Sequence, residues 1–264
     1  MRHVHVSLGD RVVLHDLSLS IRAGEHIAIL GPNGCGKSTL IRTLTCELYP
    51  LVRPEMELRI FGKNRWDLTL LRRHFGVVSD NVPGHQGYSR TADTAGCLTG
   101  RTTGLDATLA GFFSASTLWP HFEITDAMRE AAHEALTRIG ATHLAHRLVG
   151  EMSAGEKRRI LIARALVHRP SQLLLDEPSN ALDIAAQREL REALRRLADD
   201  GIGIILVTHH LADILPEIDR VLLMRDGRIL ADGPRAELLT TARLSELFRT
   251  EVRIGHDGKW LHTW

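Results

Sequence analysis

The stretch Gly31 to Thr39 reads GPNGCGKST and fits the pattern G-x-x-x-x-G-K-[ST] through Gly31, Gly36, Lys37 and Ser38. The pattern constrains the fold because it needs a strand before it and a helix after it. Glycines let the backbone curl so that several N–H groups face one anion, and the following helix presents its positive end to the same place. Both flanks are present. Glu25 to Leu30 (EHIAIL) is a short apolar run suited to a buried strand, and Ser38 to Leu48 continues as a helix with apolar Leu40, Ile41 and Leu44. Strand, loop and helix together predict a triphosphate grip made by Gly31, Pro32, Asn33, Gly34, Cys35, Gly36, Lys37, Ser38 and Thr39. Lys37 is expected on the β and γ phosphates, and the Ser38 hydroxyl on the Mg²⁺ that bridges them.

The rest of the chain alternates strand and helix. Val4 to Ile21, around the turn at Gly9-Asp10, reads as antiparallel edge strands, with Glu57 to Phe61 and Gly76 to Ser79 as further short strands. Val82 to Gly104 is rich in Gly, Ser and Thr and reads as a long irregular connection. From Thr125 a capped helix is expected, with Ala131, Ala132, Ala135, Leu136 and Ile139 on one apolar face before Gly140. Strand (SQLLLDEP), helix (DIAAQRELREALRRLADDG) and strand (Gly203 to Val207) follow, and turns at Asp226-Gly227 and Asp257-Gly258 close two hairpins. The expected fold is α/β with a mostly parallel core sheet, an antiparallel β edge and an inserted α-helical subdomain. In residue numbers, a domain over 1–250 contains a helical subdomain at about 90–170, and 251–264 forms a C-terminal β-hairpin extension.

At 264 residues the chain suits one large domain with a smaller insertion. Its 33 basic and 32 acidic residues nearly cancel, which argues against a nucleic-acid partner held by net charge. No run of 18 apolar residues occurs, and MRHVHVSLGDR lacks a signal-peptide layout, so a soluble, cytoplasmic chain is expected. Cys35, Cys46 and Cys97 show no C-x-x-C spacing and read as reduced thiols. A thiol near a helix N-terminus favours thiolate, which would make Cys35 redox-sensitive; a small residue filling the loop is the simpler account. The fifteen histidines, among them His3/His5, His143/His146 and His209/His210, form no recognised metal-ligand spacing.

A second candidate site is LLLDEP at Leu173 to Pro178, where an apolar run delivers two carboxylates to the end of a strand. Ligands gather at the carboxyl ends of parallel strands, so Asp176 is expected at Mg²⁺ and Glu177 toward a water attacking the γ-phosphate. Met152 to Glu156 (MSAGE) precedes a basic, apolar helix, and Ser153 with Glu156 forms an S-x-x-E capping box. A capped helix start also attracts anions, so both roles are compatible. Ser179 to Asp183 (SNALD) follows the acidic pair, and His209 ends another apolar strand where it can meet the same γ-phosphate.

In this order, the phosphate loop, MSAGE, LLLDEP, SNALD and His209 resemble the motifs of the ATP-binding cassette ATPases, the nucleotide-binding subunits of ABC transporters, over about Val4 to Phe248. The resemblance implies a P-loop cassette that works as a dimer, each ATP lying between the phosphate loop of one subunit and the Ser153, Ala154, Gly155, Glu156 segment of the other. It implies Glu177 as general base, His209 at the γ-phosphate, Lys37 and Ser38 on phosphate and metal, Asp176 organising Mg²⁺, and Asp183 at the dimer seam. It further implies a second cassette subunit, identical or not, separate transmembrane permease subunits on the inner face of the membrane, and a solute-binding protein. The tail THHLADILPEIDRVLLMRDGRILADG resembles bacterial importer subunits, including those serving metal complexes or oxyanions.

Three positions depart from that pattern. Asp80 stands where the family carries a glutamine; it is expected among the catalytic and metal-binding groups, and its charge predicts slower or more Mg²⁺-dependent turnover. Leu8 stands where many cassettes stack an aromatic on adenine, which predicts weak base selectivity, and Ala154 replaces a signature glycine. Gly111-Phe112-Phe113 to Pro120 either presents aromatics to a membrane subunit or packs its own subdomain. Trp260 and Trp264 either mark a partner surface or pack the last hairpin. The alternative function is a soluble cassette that uses the ATP-driven switch as a regulator or assembly factor.

Overall fold

The computed structural model describes residues 1–79, 101–115, 117–257 and 260–263. Asp80, Cys97, most of the Val82 to Gly104 connection, Gly258 and Trp264 lie outside the described residues. The chain runs β1 (Val4–Leu8), β2 (Arg11–Leu17), β3 (Ile27–Leu30), α1 (Lys37–Leu44), α2 (Leu68–His74), β4 (Phe75–Val78), α3 (Gly104–Leu109), α4 (Asp126–Arg138) and α5 (Ala154–Leu166). It continues through β5 (Gln172–Asp176), α6 (Ile184–Asp199), β6 (Gly203–Thr208), β7 (Arg220–Arg225), β8 (Arg228–Pro234), α7 (Arg235–Leu238), α8 (Thr241–Phe248), β9 (Ile254–Asp257) and β10 (Trp260–Thr263). Two compact units result, one of Met1–Leu71, Leu174–Glu177 and Gly203–Trp264, the other of Arg72–Leu173 and Pro178–Ile202.

In the first unit the main sheet is ordered β5-β6-β3-β7-β8. β3 pairs in parallel with both β6 and β7, so that Leu30 lies opposite Thr208 and Leu223. Every residue of β3 and β6 is buried, which is why these strands read as unbroken apolar runs without alternation. β8 joins antiparallel, and its alternation of exposed and half-buried residues marks the sheet edge. β1 and β2 form the expected separate antiparallel pair, as do β9 and β10, with Trp260 opposite Asp257. No strand forms at Glu57 to Phe61, contrary to the sequence reading. Phe61 and Gly62 both take positive φ and turn the chain so tightly that Ile60 bonds back to Lys63, leaving only isolated bridges there and between Arg2 and Glu57.

In the second unit the helices follow their apolar spacing. On α6 the buried residues are Leu190, Ala193, Leu194, Leu197 and Ala198, a stripe at helical period, and each buried leucine contributes about 1.5–3 kcal/mol. On α4 the residues expected to be apolar-facing are buried except Ala131, which is half-buried. The Thr125 side chain accepts from the Met128 N–H as its N-cap. Thr103, at the end of the long connection, caps α3 in the same way through the Asp106 N–H. Phe113 stacks on Phe122 with centroids 4.1 Å apart and Phe112 meets His168 edge-on, so this part of the aromatic segment packs its own unit. Trp119 is about half exposed.

Candidate functional site

The phosphate loop starts where β3 ends and feeds directly into α1 at Lys37. Two of its glycines are forced by neighbours, and Gly34 by a positive φ of 77°. A Cβ on Gly31 would collide with the carbonyl oxygen of Met224, and one on Gly36, whose φ is 105°, would lie 2.9 Å from Leu14 Cδ2. The floor of the loop is the turn between β7 and β8. Asp226 and Gly227 both have positive φ, the conformation of a tight two-residue hairpin. The Gly227 N–H donates to the Cys35 carbonyl at 2.9 Å, and the Gly227 carbonyl accepts from the His15 N–H at 2.9 Å. This turn therefore holds the phosphate loop on one side and β2 on the other. The sequence marks Asp226-Gly227 only as a hairpin; its use as a support depends on β3 and β7 being neighbours.

Lys37 is buried, and its Nζ donates to the carbonyls of Gly31 at 2.7 Å and Pro32 at 3.2 Å. The ammonium is thus held across the mouth of its own loop. Ser38 is exposed beside it, and Thr39 is buried. Cys35 is buried too, and burial pushes its thiol pKa up, outweighing the opposing charge of Lys37. The thiolate reading does not hold at this position, and burial agrees with the simpler account of a small residue filling the loop.

β5 is buried along its whole length and carries Asp176, itself buried, to its end. The chain then turns through Glu177 at φ 47°, a left-handed conformation that costs a non-glycine residue about 1 kcal/mol. Contacts on both sides hold it there. The Glu177 N–H donates to the Val207 carbonyl at 2.8 Å, and Glu177 Oε1 lies 2.8 Å from His209 Nδ1 and 3.7 Å from Lys37 Nζ. Glu177 Oε2 accepts from the Thr208 hydroxyl at 3.3 Å and from the His209 N–H at 3.4 Å. Thr208 Oγ1 is also 3.1 Å from Asp213 Oδ2 and accepts from the His210 N–H. Lys37, Glu177 and His209, distant in sequence, are therefore one cluster, with Thr208 and Asp213 as supports that the sequence reading missed.

In the second unit Ser153 caps α5, with the reciprocal bonds of a capping box: the Ser153 hydroxyl accepts from the Glu156 N–H and Glu156 Oε2 accepts from the Ser153 N–H at 2.7 Å. That N–H holds the Glu156 carboxyl below the usual carboxylate range, helped by Arg147 at 2.7 Å. Gly155 is fixed by packing, since a Cβ there would lie 2.8 Å from that of Ala186 on α6. Asp183 caps α6 by accepting from the Ala186 N–H at 2.8 Å. Ser153, Gly155, Glu156 and Asp183 line one open groove with Arg147 and Glu189. Ala154 is exposed at the helix start. Leu8, at the tip of β1, is 41% exposed and so available for a flat apolar contact.

Among the described residues no helix is long and apolar enough to cross a membrane. The residues fit a nucleotide triphosphate: a loop with no room for a Cβ at Gly31 or Gly36, a buried lysine on its rim, and two carboxylates at the adjoining strand end.

Residues 14–180 match the family model of the ABC transporter. The chain is 34% identical to the hemin import ATP-binding protein HmuV of Hahella chejuensis, over 95% of this chain and 92% of that one. It is 30% identical to the phosphonates import ATP-binding protein PhnC of Shigella dysenteriae, over 93% and 92%. A dimeric ATP-binding cassette solved in a post-hydrolysis state with ADP and Pi superposes with a TM-score of 0.67 at 26% identity, over 88% of this chain and 97% of that one. By the family model over residues 14–180 and relatives matched along nearly their whole length, the chain belongs to the ABC transporter family, as an ATP-hydrolysing, nucleotide-binding subunit.

Proposed function

We propose that Glu177 is the general base of hydrolysis, that His209 orients it and contacts the γ-phosphate, and that Lys37 with Ser38 holds the phosphates. The cluster of Lys37, Glu177 and His209 carries this reading, because an imidazole and a cation both lie within 4 Å of one carboxylate oxygen at the mouth of the phosphate loop. When ATP enters, its phosphates attract Lys37 away from the carbonyls of Gly31 and Pro32, and Glu177 is left with His209 to accept a proton from water. Mg²⁺, held by Ser38 and Asp176, supplies charge neutralisation on the phosphates. Asp80 is proposed as a further metal or water contact.

Ser153, Ala154, Gly155 and Glu156 are proposed to complete the ATP site of a second subunit, with Asp183 at the seam. Their groove and capped helix start support this, and the dimeric, ADP-bound relative supports the assembly. In this reading ATP closes a cassette dimer attached to separate permease subunits and so drives solute import. The importer names of the relatives support that direction, and their different solutes leave the cargo class at metal complexes or oxyanions. A solute-binding protein outside the membrane belongs to the same proposal. The test is co-purification of Glu177→Gln with candidate permeases under ATP: retention of a membrane subunit supports the importer, and capture of soluble proteins alone sinks it.

A further inference from the structure

Adjacent to the phosphate loop, Glu177, His209 and His210 each offer a ligand atom, and these atoms all lie within 4.8 Å of one another. Among the described residues no other group of three His, Cys, Asp or Glu side chains comes this close. The histidines are neighbours in sequence, yet the bend after β6 brings both rings to one side, with centroids 3.8 Å apart. Glu177 Oε1 and His209 Nδ1 are 2.8 Å apart as a hydrogen-bonded pair, and a separation of only about half an ångström more admits one ion with bonds of about 2.0–2.2 Å. His210 is exposed, so its ring is the one of the three with room to adjust.

We propose that Glu177, His209 and His210 form an inhibitory site for a borderline transition-metal ion, with Zn²⁺ as the representative. Two imidazoles and one carboxylate, with an exposed side open to water, are the donor set of zinc and match neither the oxygen-only preference of Mg²⁺ nor a closed structural site. The ion takes the place of the proton joining His209 to Glu177, and that proton leaves to solvent. Hydrolysis is then blocked because the carboxylate lone pair that accepts a proton from water is held by the metal. Lys37 Nζ, 3.7 Å from Glu177 Oε1, opposes the cation, so the site fills best when the phosphates of a nucleotide have drawn the lysine away. The inhibition rests on the hydrolytic role of Glu177; the binding does not.

Isothermal titration of the chain with ZnCl₂, with and without a non-hydrolysable ATP analogue, tests the binding. One saturable site is expected, weakened about tenfold or more in His210→Ala, since even an outer-shell loss costs that much. His210→Asn serves as the second variant, and the His210 N–H bond to Thr208 survives in both. Steady-state turnover with saturating Mg²⁺ and ATP tests the consequence: Zn²⁺ is expected to inhibit the parent, and both His210 variants are expected to keep parental turnover and resist. Equal zinc affinity in parent and variants, or equal inhibition, overturns the site. An inactive parent that still binds zinc through His210 overturns the hydrolytic reading and leaves the metal site standing.

Discussion

Glu177 Oε1 lies 2.8 Å from His209 Nδ1, and the same oxygen is 3.7 Å from Lys37 Nζ. One carboxylate oxygen thus faces an imidazole and an ammonium, and its neighbour faces the Thr208 hydroxyl. Replacing Glu177 by Gln keeps the shape and removes the base. Turnover is expected to fall by about 10²–10⁴-fold while ATP binding persists. Phosphate release with parallel thermal-shift titration of ATP checks both halves, and near-parental turnover would remove Glu177 from the base role.

Lys37→Ala removes a buried cation at the mouth of the loop, the group proposed to hold the phosphates. Charge-assisted hydrogen bonds of this kind are worth about 1.5–3 kcal/mol, so ATP affinity is expected to drop by roughly 10–100-fold. Equilibrium titration with a fluorescent ATP analogue reads this directly. Unchanged affinity would mean that the lysine belongs to the loop's own framework.

Gly227 supports the phosphate loop from below at φ 72°, where a Cβ would run into the Val13 carbonyl. Gly227→Ala is expected to destabilise the chain by about 2–4 kcal/mol through strain and displacement of the turn. Urea denaturation measures it. A second expectation follows from the bond to Cys35: weakened ATP binding in whatever fraction remains folded.

Ser153→Ala removes the N-cap of α5 and is expected to cost about 1 kcal/mol. Glu156 adds a pH signature. Its folded pKa is lowered, first by the Ser153 N–H, so its contribution is full above the ordinary glutamate value and fades as pH falls through the lowered folded value. Denaturation of parent and Glu156→Gln should therefore differ at pH 7 and converge as the pH falls below the ordinary glutamate range. A pH-independent difference would show that the carboxylate charge is not the source.

Burial and a raised pKa make Cys35 slow to react. Iodoacetamide at neutral pH is expected to label it much more slowly in the native chain than in urea, with mass spectrometry of the peptide spanning the loop as the readout. Equal rates would contradict the buried geometry.

Local chemistry is what the sequence alone determined. The glycines of the phosphate loop, the capping box at Ser153 and Glu156, the helical stripes on α4 and α6 and the Asp226-Gly227 turn are all set by residues a few positions apart, so spacing reveals them. The motif order also pointed to the family before any geometry was known. Tertiary structure decided what no short window contains. The parallel pairing of β3 with β6 and β7 puts His209 and the Asp226-Gly227 turn beside the phosphate loop, and the left-handed turn at Glu177 aims its carboxylate at His209 and Lys37. Glu57 to Phe61 failed as a strand because the local turn at Phe61-Gly62 overrode its β-forming residues, and burial, which raises the Cys35 thiol pKa against the charge of Lys37, left that residue as a filler of the loop. For the site the deciding term was long-range: which strands are neighbours, and how much water they exclude.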